Sequence, residues 1–381
     1  FIASKGIAVV GIDVNQGVVE SVNAGQIPFF EPGFDELLSR VVKEGTLTAQ
    51  TEQVDADAYI VCVPTPFRGD HSFDTKYIRA ACGALAPHLR AGTLVVLEST
   101  SAPGTTEDMA KHLVELRPDL SLNDEDDNAI FVAHCPERVL PGKIMEEMEN
   151  NDRLIGGLTP KGAELARQLY STFCTADLLV TDAITAEMTK LTENSFRDVN
   201  IAFANELSVI CDRLGIDVWE LIELANHHPR VNILQPGPGV GGHCIAVDPW
   251  FIVSAAPDEA RLIKTARDVN DGKPEWVMKQ VLRALEGKEK PVVSALGITF
   301  KNDIDDLRES PSLEIVKRLS VENPHLDIRV VEPNVKKLPP VLSNLSNIKK
   351  QETMEAIAAA DVVLLLVNHK EFITLDYSVL Q

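Results

Sequence analysis

At 381 residues and 45% hydrophobic content, the chain has room for two or three domains, each with a full core. Its 57 acidic against 36 basic residues leave a net charge of −21, which argues against nucleic acid or an acidic membrane as a general partner. A small anionic ligand remains open, because it needs only a few local donors.

The six cysteines (Cys62, Cys82, Cys135, Cys174, Cys211 and Cys244) form no CxxC pair, which fits a reducing, cytoplasmic setting and offers no clustered metal site. No apolar run approaches the ~20 residues of a membrane-spanning helix.

The chain opens at FIASKGIAVVGID, with neither an initiator Met nor a signal-like start, as if cut within an element. Phe1–Lys5 reads as a helix end closed by Gly6, and IAVVGID as a buried strand ending in Asp13. That is the second half of a βαβ unit, in which such an acid binds the ribose hydroxyls of NAD; the first half, with G-x-G-x-x-G, is not in this sequence. The plainer reading of Asp13 is a helix N-cap.

Further strands are expected at 56–63, 93–97 and 129–133, with helices at 75–89 and 160–173. Each strand ends in a polar loop, the pattern of a parallel doubly wound sheet. Ligands of that fold bind beyond the carboxyl ends of the strands, where Thr65, Thr100 and Glu137 all fall.

From Thr185 to Leu214 the pattern changes to one long helix, with Lys190, Asn194 and Asp198 at i, i+4 on one face. Apolar neighbours (Leu191, Phe196, Ile201, Phe203) favour a buried polar face over a solvated stripe. Helices are expected at 218–226, 259–271 and 275–285, then a charged linker and a second α/β unit with strands at 292–300, 328–331 and 361–367.

Between the helices lies QPGPGVGGHCIAVDPWF, residues 235–251. Four glycines (Gly237, Gly239, Gly241, Gly242) let backbone approach a ligand, and prolines fix the path beside Cys244. From the loop alone, a held ligand attacked by Cys244 and a turn around a buried cysteine are equally open.

Five ordered stretches together resemble the UDP-glucose/GDP-mannose dehydrogenase family: ESTSAPGT (98–105), CPERVLPG (135–142), EMTKLTENSFRDVNIAFANEL (187–207), HPRVNILQPGPGVGGHCIAVDPWF (228–251) and FKNDIDDLRESP (300–311). The wording around the cysteine is most similar to the branch acting on UDP-N-acetyl-D-mannosamine for bacterial surface polysaccharides.

The resemblance implies an α/β chain of two doubly wound Rossmann-like domains, joined by a long central helix and a helical dimerisation region. Residues 1–184 would bind NAD, 185–286 would hold the cysteine loop, and 287–381 would bind the UDP-sugar. The implied reaction oxidises the sugar C6 alcohol twice, through a thioester on Cys244. Lys190 and Asn194 would hold the oxyanion, and Asp248 would order the water or the lysine. Glu137, assisted by Thr100, would be the base for hydrolysis.

Arg230 would reach into a partner subunit, implying a homodimer. Gly237, Gly239, Gly241, Gly242 and Lys301 would meet the substrate, and Asp13, Thr65, Thr100 and Arg308 the cofactor. Two departures, Val247 where a lysine is usual and Pro141 where a glutamate is, argue against UDP-glucose itself. UDP-N-acetylglucosamine and GDP-mannose remain alternative substrates. The rivals of other classes are a cysteine hydrolase pairing Cys244 with His243 and a catalytically silent nucleotide-sugar-binding protein. Adjacent residues rarely face each other for proton transfer, which counts against the first.

Overall fold

The computed structural model describes residues 1–27, 31–140, 142–242, 244–376 and 378, so Pro141 and His243 lie outside it. The chain forms two compact units, Phe1–Thr192 and Glu193–Gln381.

The first unit begins with a 3₁₀ turn closed by Gly6 in the left-handed conformation (φ 83°). β1 (Val9–Ile12), α1 (Gln16–Asn23), α2 (Phe34–Glu44) and β2 (Leu47–Gln50) follow, and β1 and β2 pair in parallel as a sheet of their own. The expectation of a buried first strand is therefore corrected: Ile7 and Val10 are 38% and 37% exposed, since two strands offer little surface to bury against.

Next come β3 (Ala58–Val61), α3 (Lys76–Leu85), β4 (Leu94–Leu97), α4 (Thr105–Leu116), β5 (Phe131–His134), α5 (Ile144–Asn150), β6 (Arg153–Gly157), α6 (Pro160–Ser171) and β7 (Leu178–Asp182). They form a sheet in the order β3-β4-β5-β6-β7. Every residue of β4, β5 and β6 is buried, as expected of strands covered on both faces. One pair departs from the expected parallel arrangement: β6 runs against β5, with Ala133 opposite Gly157 and His134 opposite Gly156. The 135–152 segment makes no crossover, so the chain re-enters from the end at which β5 stopped.

α7 (Ala183–Leu214) contains the division between the units. The second unit continues with α8 (Val218–Asn226), α9 (Asp248–Ala255) and α10 (Arg261–Ala284). Then come β8 (Val292–Leu296), α11 (Pro311–Glu322), β9 (Asp327–Val331), α12 (Pro340–Ser343), β10 (Ile348–Lys350), α13 (Thr353–Ala358), β11 (Val362–Leu365) and α14 (Lys370–Ile373). Its sheet, ordered β10-β9-β8-β11, is parallel throughout. Ser310 caps α11 by accepting from the Leu313 amide at 3.2 Å, with Pro311 in the first turn.

The two helices expected at 259–271 and 275–285 are one helix, α10, which runs through Pro274. The proline ring has no N–H for the Asn270 carbonyl, so that group is left for other contacts.

α7 and α10 meet along a buried polar seam. Arg267 (1% exposed) donates to Asp198 Oδ1 at 2.6 Å and also pairs with Asp271; Asp198 is fully buried. Asn270 Nδ2 donates to the same Asp198 oxygen at 2.8 Å and accepts at Oδ1 from Asn205 Nδ2 at 2.8 Å. Asn194 and Asn205 are buried as well, in line with the expected polar face. The aromatic neighbours read as flanking it are not: Phe196 and Phe203 are 69% and 53% exposed, whereas Leu191 is fully buried.

Removing one partner of a buried charge pair strands the other. Asp198→Ala is expected to lower the unfolding free energy by about 3–5 kcal/mol in urea titration, and Asp198→Asn, which keeps two acceptor bonds, by less.

Candidate active site

In the second unit the glycine-rich loop is pressed between neighbours. The Gly237 amide donates to Asn205 Oδ1 at 2.8 Å, tying the loop's start to the polar seam. A Cβ on Gly239 (φ 145°) would lie 2.8 Å from Pro311 and 3.4 Å from the Asn270 carbonyl that Pro274 leaves unused. A Cβ on Gly241 would meet the Glu309 carbonyl and lie 2.8 Å from Pro311; one on Gly242 (φ 83°) would lie 2.9 Å from the Phe300 ring. Gly237 differs, with nothing closer than 3.8 Å. Three of the four glycines are therefore required for close packing against the segment 300–311.

The loop delivers Cys244 to an exposed position just before α9. The Cys244 carbonyl accepts from the Asp248 amide at 2.9 Å and the Val247 amide at 3.1 Å, which turns the chain into the helix. Asp248 is 3% exposed, and its Oδ2 accepts from Asn194 Nδ2 at 2.6 Å. Asn194, 54 residues before Asp248, is thus joined to the turn that carries Cys244.

The Gly242 amide donates to the Arg308 carbonyl at 3.3 Å, which links the loop to the segment carrying Lys301 and Arg308. Both side chains are exposed. The Arg308 guanidinium is paired with Asp306 at 2.6 Å, and this bond raises its pKa above the ordinary value. Arg230 is exposed beyond α8. At its start the loop also lines a cavity of about 1040 Å³ with Lys273 and Trp276, where burial brings the Lys273 amine down to about 8.

In the first unit, Thr65, Thr100 and Glu137 follow the ends of β3, β4 and β5, which are adjacent and parallel, so the three share one edge of the sheet. Asp13 follows β1, in the separate two-stranded sheet, and is exposed. It is not the cap of α1: Asn15 is, accepting from the Gly17 amide at 2.9 Å, while Asp13 Oδ1 holds the Asn15 amide at 2.8 Å. Lys190 is half-buried on α7.

Glu137 is not solitary. Its Oε2 accepts from Arg153 at 3.0 Å, and its Oε1 from the amides of Arg138 at 2.6 Å and Val139 at 3.0 Å. Arg153, 4% exposed, lies 3.9 Å from Glu98 and 5.3 Å from the ring centres of both Tyr170 and Phe173. Glu98 accepts from Tyr170 and Cys62, each at 3.0 Å, and burial pushes its carboxyl above the usual range. Glu187, one turn before Lys190, caps α4 by accepting from the Gly104 amide at 2.6 Å and the Thr106 amide at 2.7 Å. Sequence reasoning missed Arg153, Glu98 and Glu187. The signal available was a charged residue inside an apolar strand or beside a motif glycine.

Three successive segments match domains of the UDP-glucose/GDP-mannose dehydrogenase family: the NAD binding domain at residues 1–174, the central domain at 184–272 and the UDP binding domain at 294–381. A UDP-N-acetyl-D-mannosamine dehydrogenase of Campylobacter jejuni is 56% identical over 374 residues, 97% of this chain and 92% of that protein. An NDP-N-acetyl-D-galactosaminuronic acid dehydrogenase of Ralstonia nicotianae is 53% identical over 382 residues, 100% of this chain and 89% of that protein. A solved UDP-D-ManNAc dehydrogenase from Pyrococcus horikoshii is 36% identical, with a TM-score of 0.87 over 99% of this chain and 87% of that one.

The packing of the loop separates its glycines. Gly241→Ala is expected to lower the unfolding free energy by about 1–3 kcal/mol in urea, while Gly237→Ala stays within about 0.5 kcal/mol of the parent.

Proposed function

The chain belongs to the UDP-glucose/GDP-mannose dehydrogenase family, and we propose that it oxidises the C6 alcohol of UDP-N-acetyl-D-mannosamine to the carboxylate with NAD. The observation that carries the mechanism is the junction of Asn194, Asp248 and the exposed Cys244 at the end of a glycine loop with no slack.

Cys244 is the nucleophile. As thiolate it adds to the C6 aldehyde; after the second oxidation it holds the acyl group as a thioester, which water cleaves to release the acid and the thiol. Lys190 and Asn194 stabilise the oxyanion, with Asp248 fixing the Asn194 amide. Glu137, held by Arg153 and two backbone amides, takes the proton of the hydrolytic water, and Thr100 assists. Gly237, Gly239, Gly241, Gly242 and Lys301 serve the nucleotide sugar.

NAD, when bound, accepts the hydride of each oxidation. Asp13 suits its ribose, because an exposed carboxylate at a strand end accepts from two hydroxyls; Thr65, Thr100 and Arg308 complete its contacts. In this reading 1–184, 185–286 and 287–381 are the NAD-binding, central and UDP-sugar-binding domains. The C. jejuni and P. horikoshii relatives support the mannosamine sugar, and the Ralstonia relative makes the galactosamine diastereomer the competing choice.

A homodimer is part of the proposal. Phe196, Phe203, Ile210 and Leu214 are 69%, 53%, 44% and 64% exposed, and their spacing aligns them along one face of α7. A second copy would cover that stripe, and Arg230 would serve the partner's site. Among the described residues no helix is long and apolar enough to cross a membrane. We place the reaction in the cytoplasm, a reducing setting that suits six cysteines all present as free thiols.

Two measurements test this reading. With UDP-N-acetyl-D-mannosamine, absorbance at 340 nm should report two NADH per sugar, and Cys244→Ser should reduce uronate formation by at least about a thousandfold. Faster oxidation of UDP-N-acetylgalactosamine rejects the assigned sugar, and normal uronate from the serine variant removes Cys244 from its role. In sedimentation velocity, Phe203→Asp should shift the parent dimer to monomer; a parent that is already monomeric rejects the dimer.

A further inference from the structure

A second buried polar cluster in the Glu193–Gln381 unit has no part in the reading above. His369, 1% exposed, sits just before α14, beside the ends of β8 and β9. Its Nε2 lies 3.2 Å from Glu332 Oε2 and 3.3 Å from Thr299 Oγ1. Its Nδ1 accepts from the Asp303 amide at 2.9 Å, and Asn334 Nδ2 is 3.0 Å from the same nitrogen. An acceptor at Nδ1 puts the ring proton on Nε2, aimed at Glu332.

Glu332 is itself buried (1% exposed). It accepts from the Ile298 amide at 2.9 Å and the Asn334 amide at 3.0 Å. Thr299 Oγ1 donates to the Lys301 carbonyl at 2.8 Å, and Asp303 Oδ1 accepts from the Lys370 amide at 2.9 Å. Asp303 is held at φ 60°, and Gly297 at φ 88° has room for no Cβ, which would lie 2.5 Å from Val367. The segment leaving β8 is therefore bonded at 298, 299 and 303 to one imidazole–carboxylate pair. At its far end the Arg308 carbonyl receives the Gly242 amide.

We infer that His369, oriented by Glu332, is a positioning residue that latches the 298–310 loop in the shape that presents Lys301 to the nucleotide sugar. The inference rests on the substrate role proposed for Lys301. A core histidine that served stability alone would satisfy its ring with fixed strand backbone. This one bonds the backbone of a loop that carries an exposed lysine and arginine and that touches the cysteine loop. Loosening such a loop costs binding before it costs the chemical step, because Lys301 rides on the loop itself, whereas the Cys244 turn has a further anchor in the Asn194–Asp248 bond.

The test uses the full chain. His369→Leu keeps the bulk and removes both ring nitrogens; His369→Asn restores an acceptor at the place of Nδ1. His369→Leu is expected to raise KM for UDP-N-acetyl-D-mannosamine about tenfold with kcat within about threefold, and His369→Asn to recover most of that loss. Amide exchange should accelerate over 298–310 in the leucine variant. Asp303→Gly, at an exposed position where glycine accepts the left-handed conformation, should give a smaller rise in KM of the same kind, and it carries the test if the leucine variant does not fold. Unchanged KM in the folded variants, or a fall in kcat at constant KM, overturns the latch. A parent that oxidises no nucleotide sugar, with exchange over the loop still faster in the variant, sinks the functional reading and leaves the latch standing.

Discussion

Arg267 is a full charge with 1% of its surface in contact with solvent, and the second unit is arranged to keep it paired. A guanidinium removed from water is tolerated only where fixed partners replace its hydration. Asp198 supplies the charge, and burial pushes that carboxyl up against the pull of Arg267. The same Asp198 oxygen also accepts from Asn270, whose own side-chain oxygen holds Asn205, whose oxygen in turn holds the Gly237 amide. A charge in the interior therefore fixes where the glycine loop begins. The loop then has no freedom left, because its later glycines are wedged against Phe300, Glu309 and Pro311.

The first unit solves a similar problem at the end of a sheet. Arg153 opens a strand whose every residue is buried, and it is met by Glu137 on one side, Glu98 on the other and two aromatic rings. The cost of burying this cation is offset by carboxylates in a loop, so that loop cannot move without exposing an unpaired charge. Rigid placement of Glu137 is thus a by-product of a folding requirement. The same economy recurs at His369, where the donors that satisfy Glu332 belong to loop backbone.

Much of the framework was legible because it repeats locally. Strand–loop–helix order gave the α/β class, and asparagines at helical spacing gave the buried face of α7, where Asn194, Asp198 and Asn205 are indeed buried. What was not legible depends on distance along the chain. Arg153 meets Glu98, and Glu187 meets Gly104, across 55 and 83 residues, and no local pattern encodes such pairs. Phe196 and Phe203 look like core in sequence and are exposed, since periodicity names a face without naming what covers it. Pro274 reads as a break, yet α10 continues, because a helix can forgo one bond where other contacts hold it. For the site, the residue types at the strand ends were readable, while their partners were not.

Glu187 carries a consequence for how the first unit can recognise phosphate. A helix that follows a strand end through a glycine turn is a natural anion receptor, its first amides pointing outward and its dipole positive there. At α4 those amides are already satisfied, since Gly104 and Thr106 donate to a carboxylate supplied by the chain itself. The fold has filled its own receptor. An incoming pyrophosphate would face a resident carboxylate at these amides, so Thr100 at this strand end would serve the cofactor through its hydroxyl and not through the helix amides, and the anion that belongs to α4 is structural.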